Sequence, residues 1–326
     1  MKRLLTCLAV GALAAGALAG CGGDSETEPT AGSPDAIVIA LIAKANGSPY
    51  WTAVKNGALD AGRALGVTVT FNGPDTETEV DKQINLLQSA INSKPSGLGF
   101  APLDAEASFD LMDQAKADGI PVIAFDTAVT GSDVPLTTIA TDNVGAAEEA
   151  ARHMIELTGG KGKVAILAHS QTASTGVQRR DGFQDYIKKN APDIELLDPQ
   201  YTDSDQAKST DKAMAILQAN PDLVGIFATD DDGVVGAAQE VEAQGKTGQV
   251  VVIGFDSGKA QMDLIRSSVI SGSVTQNPYK IGYKTVELLL ATVNGNPPTE
   301  TFTDSGFLWY DKANIDSTEV QQAVYD

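Results

Sequence analysis

Short apolar runs alternate with amphipathic stretches from Ala36 onward. AIVIALIA (36–43) has no polar break and reads as a strand buried on both faces. Pro49–Leu65 reads as a helix, VTVTFN (67–72) as a strand, and Val80–Asn92 as a helix with Ile84, Leu87, Ala90 and Ile91 on one face. GLGFAP (97–102) and PVIAFD (121–126) are predicted strands around a helix over Ala105–Ala117, and PLTTIAT (135–141) is strand-like. The same grammar then resumes. Helices are predicted over Val144–Leu157, Gln178–Lys188 and Tyr279–Val293. Strands are predicted at KVAILAH (163–169), IELLDPQYT (194–202), LVGIFATD (223–230), VVVIGFD (250–256) and Gly272–Gln276, with helices between the later ones. Such alternation implies α/β architecture with parallel sheets covered on both faces. One sheet does not hold this many strands comfortably, so a break near Ala140–Asp142 is expected to separate two doubly wound lobes.

The length of 326 residues agrees, since it suits two domains of about 120–150 residues. With 42% hydrophobic and 20% charged residues the chain is globular rather than disordered. There are 23 Lys and Arg against 43 Asp and Glu, a net charge of −20. That balance argues against nucleic acid as a partner, because phosphate binding needs a basic face.

The first twenty residues read as a signal peptide rather than as fold. Lys2 and Arg3 form a positive start, Leu4–Ala19 an apolar stretch, and Leu18-Ala19-Gly20-Cys21 matches a lipobox. The apolar run is short for a spanning helix and carries Gly11, Gly16 and Gly20. Cleavage would discard Cys7 and leave Cys21 as a lipid-carrying N-terminus that holds the chain at the outer face of the membrane. Loss of Lys2 and Arg3 leaves 21 basic residues against 43 acidic ones, or −22. Residues 21–35 (CGGDSETEPTAGSPD) are a polar tether.

Much chemistry has no residues to run it. No thiol survives processing for a disulfide, metal site or nucleophile. His153 and His169 are the whole histidine supply, with His153 on a helix and expected at the surface. There is no H-E-x-x-H and no G-x-S-x-G. Gly97-Leu98-Gly99 runs into Pro102 where a dinucleotide fingerprint needs Gly, and Gly254–Lys259 has the wrong spacing for a P-loop, with Ala260 where Ser or Thr is required. Acid pairs could run glycoside chemistry, yet carboxylates also bind sugars without reacting. No enzyme activity, cofactor or metal is expected.

Open parallel sheets bind ligands beyond the carboxyl ends of their strands. Here those ends are polar: Lys44, Asp126, His169–Ser170, Asp230–Asp232, Asp256 and Gln276. Three apolar runs each end in Asp. After the first strand, Asn46-Gly47-Ser48-Pro49-Tyr50-Trp51 supplies a turn, a cap at Ser48, Pro at the first helical position and two aromatics. Aromatic faces suit sugar C–H faces, and Asp and Arg suit hydroxyls. The alternative reading makes Tyr50 and Trp51, or one of the two, core beneath the helix start, and Lys44 a solvated lysine.

In this order, IALIAKANGSPYW, VIAFDT, IATDNVGAAEEAA, STGVQRRDGF, IFATDDDG, VVIGFDS and SGSVTQNPYKIGY resemble the ribose-binding-protein branch of the periplasmic binding proteins, the group shared with the effector domains of LacI-type repressors. The resemblance runs from Ala36 to Val320. It implies a ligand between two lobes joined by three crossovers, near Thr141–Asp142, Gln276–Asn277 and Gly306–Phe307. The lobes would be 36–141 plus 277–306 and 142–276 plus 307–326. It further implies that Tyr50 and Trp51 sandwich a sugar. Asp126 would take hydroxyls from the first lobe, Asn143 would stand at the crossover, and Arg179, Asp230, Asp256 and Gln276 would complete the pocket. The chain departs from the ribose-type pattern at Thr127, which stands in place of Arg, at Asp230 in place of Asn, at Ser48 in place of Asn, and at Lys44 in place of Ser. Lys44 with Asn72-Gly73-Pro74 is similar instead to the rhamnose- and autoinducer-2-binding subgroup. These departures imply a hydroxyl pattern other than ribose: another pentose, a hexose or a polyol. The implied partners are an ABC permease and ATPase, with the chain itself a monomer. The same cleft would serve a second role, handing a sugar or autoinducer-2-like signal to a receptor. A repressor would need a helix-turn-helix where the lipobox stands.

Overall fold

The computed structural model describes residues 36–325. The expected signal peptide (1–20), the acylated Cys21 and the tether (21–35) lie outside the described residues, as does residue 326. The chain opens with β1 (Val38–Ile42), α1 (Pro49–Leu65), β2 (Thr68–Asn72), α2 (Val80–Asn92) and β3 (Gly97–Phe100). A 3-10 turn at Glu106–Ser108 leads into α3 (Phe109–Ala117), β4 (Val122–Phe125) and β5 (Thr138–Ala140). Then come α4 (Asn143–Thr158), β6 (Gly162–Ala168), α5 (Ser174–Asn190), β7 (Ile194–Leu196), β8 (Gln200–Tyr201) and α6 (Gln206–Ala219). β9 (Leu223–Ala228), α7 (Asp231–Ala243), β10 (Val251–Phe255), α8 (Lys259–Arg266) and β11 (Gly272–Gln276) follow. The chain closes with α9 (Pro278–Val293), β12 (Phe302–Asp304), β13 (Phe307–Tyr310) and α10 (Thr318–Ala323).

Two sheets result. The first runs β12-β5-β4-β3-β1-β2 and is parallel throughout. The second runs β13-β11-β10-β9-β6-β7, with β8 also on β6, and is parallel except for β13, which lies antiparallel to β11. Each sheet is buried on both faces. In β1, Ile39 and Leu41 enter one core cluster and Ala40 and Ile42 the other. In β6, Ala165 and Leu167 face one core and Val164, Ile166 and Ala168 the opposite one. That is the period of two expected of a strand, with both sides apolar.

The chain passes between the sheets three times. It leaves β5 for α4 at Thr141–Asp142, leaves β11 for α9 at Asn277, and leaves β12 for β13 at Ser305–Gly306. α9 returns to the first lobe because it packs on α1, with Val54, Ala58, Ile281, Val286 and Leu289 in one cluster. The two helices approach until a methyl at Gly57 would overlap the Tyr279 carbonyl and one at Gly282 the Val54 carbonyl.

Some elements differ from the sequence expectation. IELLDPQYT is split into β7 and β8, since Pro199 has no N–H for the ladder. Ala105–Ala117 starts as a 3-10 turn before becoming α-helical. β12 and β13 carry no advance signal. β12 is a three-residue edge strand with Phe302 46% exposed, so it shows no apolar run. His153 is partly covered rather than free at the surface, stacked on Trp309 with ring centroids 3.6 Å apart.

Candidate functional site

A cavity of about 360 Å³ lies between the carboxyl ends of the two sheets. Such a volume is within the usual range for a small-molecule site. The first lobe contributes Lys44 after β1, Ser48, Tyr50 and Trp51 at the start of α1, Glu77 after β2, and Asp126 after β4. The second contributes His169 after β6, Arg179 from α5, Asp230–Asp232 at the start of α7, Asp256 after β10, and Gln276 at the end of β11.

Asp126 is the centre of the first half. It follows the last residue of β4 at φ 60°, in the left-handed region, and its N–H donates to the Ile139 carbonyl at 2.8 Å. A non-glycine residue held there is the kind of backbone outlier that clusters at functional sites. Tyr50 Oη donates to Oδ1 at 2.5 Å, and Thr127 Oγ1 donates to Oδ2 at 2.6 Å. Lys44 Nζ lies 3.3 Å from Oδ2 and 3.5 Å from Glu77 Oε2. Burial pushes the Asp126 carboxyl up, but the Lys44 charge and the two hydroxyl donors outweigh it, leaving the group below its ordinary value. Burial likewise pulls Lys44 down, and Asp126 and Glu77 reverse the sign. The two form a buried ion pair, so Lys44 is not a solvated strand-end lysine. Ser48 caps α1, its Oγ accepting from the Trp51 N–H at 3.3 Å.

Trp51 takes part in both of the roles open to it. Only 1% exposed, it packs edge-on to Tyr50 and Phe125 within the core and donates from Nε1 to Glu77 at 2.8 Å. It also borders the cavity. The exposed aromatic surface is mainly that of Tyr50, met edge-on by Tyr325 of the second lobe at 5.6 Å.

Asp256 mirrors Asp126. It follows β10 at φ 76°, and its N–H donates to the Val274 carbonyl at 2.7 Å. Gln276 Nε2 donates to its Oδ1 at 2.5 Å, and Arg179 Nη1 stands 3.9 Å from Oδ2. Arg179 is locked on three sides. Nε donates to Asn143 Oδ1 at 2.8 Å, Nη1 donates to the Thr229 carbonyl at 2.8 Å, and the guanidinium lies 3.7 Å over the Phe255 ring. Burial raises Asp256 above its ordinary value, although Arg179 and Gln276 oppose it.

Nine of the sequence-predicted residues therefore share one cavity: Lys44, Ser48, Tyr50, Trp51, Asp126, Arg179, Asp230, Asp256 and Gln276. Thr127 and Asn143 do not line it. Both are buried one layer back, where Thr127 orients Asp126 and Asn143 orients Arg179.

A model of the periplasmic binding protein domain matches residues 39–297. The chain belongs to the periplasmic binding protein family. The D-allose-binding periplasmic protein of Escherichia coli (strain K12) is 30% identical over 263 residues, which cover 78% of this chain and 84% of the relative. A ribose import binding protein of Bacillus subtilis (strain 168) is 26% identical over 272 residues, covering 83% and 87%. An ABC transporter solute-binding protein from Agrobacterium vitis, bound with α-D-tagatopyranose, superposes with a TM-score of 0.85 at 31% identity, over 89% of this chain and 99% of that one. Another from the same species, with bound D-fucose, gives 0.83 at 32% identity, over 88% and 100%. These relatives place the periplasmic binding protein among sugar-binding transport proteins of the ribose type, not among enzymes.

In this periplasmic binding protein the site is wired to the crossovers. Gln276, which bonds Asp256 through Nε2, accepts at Oε1 from Thr141 Oγ1 at 2.8 Å. Thr141 in turn lies 3.3 Å from Ser305 Oγ, so one residue from each passage, Thr141, Gln276 and Ser305, shares a single network. Across the cleft mouth, the Ala128 N–H of the first lobe donates to Ser174 Oγ of the second at 3.0 Å.

Several site residues had no role in the sequence reading. Asp231 and Asp232 were visible as polar strand-end residues, but only Asp230 carried a match. Glu77 sits in a loop without periodicity, and Tyr325 is near the chain end, where no pattern points inward. The acids at the start of α7 crowd one wall. Asp230 caps the helix through Gly233 N–H at 3.2 Å, and burial followed by Asp232 and Asp256 pushes it well above its ordinary value. Burial, then Asp256 and Asp232, pushes Asp231 to about 7, while burial, then Glu77 and Asp256, pushes Asp232 to about 6. An acid raised in this way keeps a proton in the folded state that the unfolded chain has already released. Its stabilising effect is full below the unfolded value and is lost as pH rises through the folded one. The melting temperature of the unliganded domain should therefore fall as pH rises from about 4 to about 7 and level off above that. Asp231→Asn should flatten that slope. His153 and His169, both lowered by burial, act in the opposite sense below about pH 6.5, but Asp231→Asn leaves them in place, so the difference between parent and variant reads the acid wall alone. A parent slope that Asp231→Asn leaves intact would remove this wall from the account.

Proposed function

We propose that the chain is the lipid-anchored solute-binding component of an ABC importer. It captures a small sugar or polyol by closing lobe 36–141 plus 277–306 against lobe 142–276 plus 307–326. The observation that carries this reading is the facing pair Asp126 and Asp256. They are two strand-end carboxylates, one per lobe, each in the left-handed region, on one cavity that also holds Lys44, Arg179 and the Tyr50 ring. Each carboxylate oxygen has more than one lone pair, so Asp126, bonded by Tyr50 and Thr127, and Asp256, bonded by Gln276, still accept from ligand hydroxyls, and the locked guanidinium donates to ligand oxygens. In this reading Ser48, Asp230 and Gln276 add further polar contacts, and Thr127 and Asn143 hold their neighbours in place. A ligand touching both lobes favours the closed state by its differential affinity. The ligands of the relatives, among them allose, ribose, tagatopyranose and D-fucose, support a single-ring sugar as the core of the ligand. Where Thr127 replaces the ribose-type arginine, the hydroxyl pattern read is expected to differ from that of ribose.

A thermal-shift screen of residues 22–326 against pentoses, hexoses and polyols tests the proposal. A true ligand at a hundred times its Kd adds about 2.7 kcal/mol and raises Tm by several degrees. A flat response to every sugar and polyol would defeat it. Anchoring through Cys21 is checked by Cys21→Ser, which should move the full chain from the membrane fraction to the soluble one.

A further inference from the structure

A second cavity of about 310 Å³ opens beside the first and shares four of its lining residues: Lys44, Glu77, His169 and Ser204. The two are similar in size, 360 and 310 Å³, and the first is by itself within the range of a small-molecule site. A single sugar ring held by Asp126 and Asp256 leaves the second chamber unused. That chamber also belongs to both lobes. Thr78, Val80 and Leu103 come from one, and Ser170, Thr172 and Ala173 from the other.

Its chemistry narrows the occupant. Leu103 and Ala173 are buried and apolar, and Val80 adds to them, a surface suited to sugar C–H groups. Hydroxyls of Thr78, Ser170 and Thr172 supply donors and acceptors at the rim. Both lysines on this wall are already engaged. Lys208 Nζ donates to Asp203 at 2.8 Å, and Lys44 is held by Asp126 and Glu77. His169 has both ring nitrogens bonded, to Thr229 at 2.7 Å and Thr175 at 3.1 Å. A phosphate or carboxylate extension would therefore meet no free cation among the described residues of this chamber. A neutral, hydroxyl-bearing ring meets what it needs.

We infer that the physiological ligand is a neutral disaccharide, with one ring between Asp126 and Asp256. The second ring lies in the chamber of Leu103, Ala173 and Thr172, and the glycosidic oxygen passes the neck between Lys44–Glu77 and His169–Ser204. This rests on the sugar-binding reading above and extends it by one ring.

Calorimetry on residues 22–326 with melibiose, lactose, maltose, cellobiose, sucrose and trehalose, and with their constituent monosaccharides, tests it. At least one disaccharide should bind about tenfold or more tighter than either of its monosaccharides. Thr172 is exposed, so Thr172→Trp should fold normally and fill the second chamber. It should remove the disaccharide advantage while leaving monosaccharide affinity within about twofold. If every disaccharide binds more weakly than its monosaccharides, or if Thr172→Trp weakens the two alike or neither, the inference is overturned while single-sugar binding stands. If no mono- or disaccharide binds, both readings fall together.

Discussion

Arg179→Ala should reduce affinity for the bound sugar by about a hundredfold or more. Truncating one member of a buried, hydrogen-bonded charge pair typically costs about 2–5 kcal/mol in a binding site. Here Arg179 is 3% exposed, and its removal strips partners from Asn143, the Thr229 carbonyl and Asp256 together. Asp256→Asn is the companion variant. Asn tolerates the left-handed φ of 76° nearly as well as Asp does, so the backbone stays and only the charge goes. It should lose affinity by a similar order, whereas Asp256→Ala would confound charge with backbone preference. Calorimetry with the sugar giving the largest thermal shift is the measurement. Unchanged affinity in both Arg179→Ala and Asp256→Asn would exclude the second lobe's half of the pocket.

The second large effect is on folding. Gly282→Val should lower the melting temperature by on the order of 10 °C, because overpacking at a tight helix crossing costs about 3 kcal/mol. The added side chain would run into the Val54 carbonyl, which belongs to α1 backbone and has no rotamer by which to move aside. The α1–α9 contact is what brings the chain back to the first lobe after its second passage, so the damage extends to the hinge. Gly295→Ala is the control, at a glycine whose added methyl meets nothing, although its φ of 85° adds a modest backbone penalty. A Gly282→Val variant as stable as its parent would mean that the helices are not so closely packed.

Much of the fold was legible because its strands are buried on both faces. Runs such as VIALI and VVIGF cannot be read as exposed loops, and the helix limits of α1 and α2 agree with the structure to the residue. Capping made the start of α1 plain: Ser48 and Pro49 leave little choice. The last forty residues were not legible in the same way. β12 and β13 are short and lie next to strands distant in sequence, so only tertiary pairing defines them. The site divides similarly. Residues at the ends of apolar runs, Asp126, Asp230 and Asp256, are marked by their position. Glu77 and Tyr325 are brought in by loops and by the chain end, and nothing in their local sequence says so. Asn143 and Thr127 show a subtler gap. Sequence matching marked Asn143 as a crossover residue and Thr127 as a departure from the ribose-type pattern, and only the structure shows their side chains bonded to Arg179 and Asp126.

A crystal structure of the domain with its sugar is the most direct measurement of the central claim. Ligand oxygens should lie within hydrogen-bonding distance of Asp126 and of Asp256 in the same complex, with Tyr50 against a face of the ring. A sugar held by one lobe alone, or bound outside the space between these two carboxylates, would contradict it.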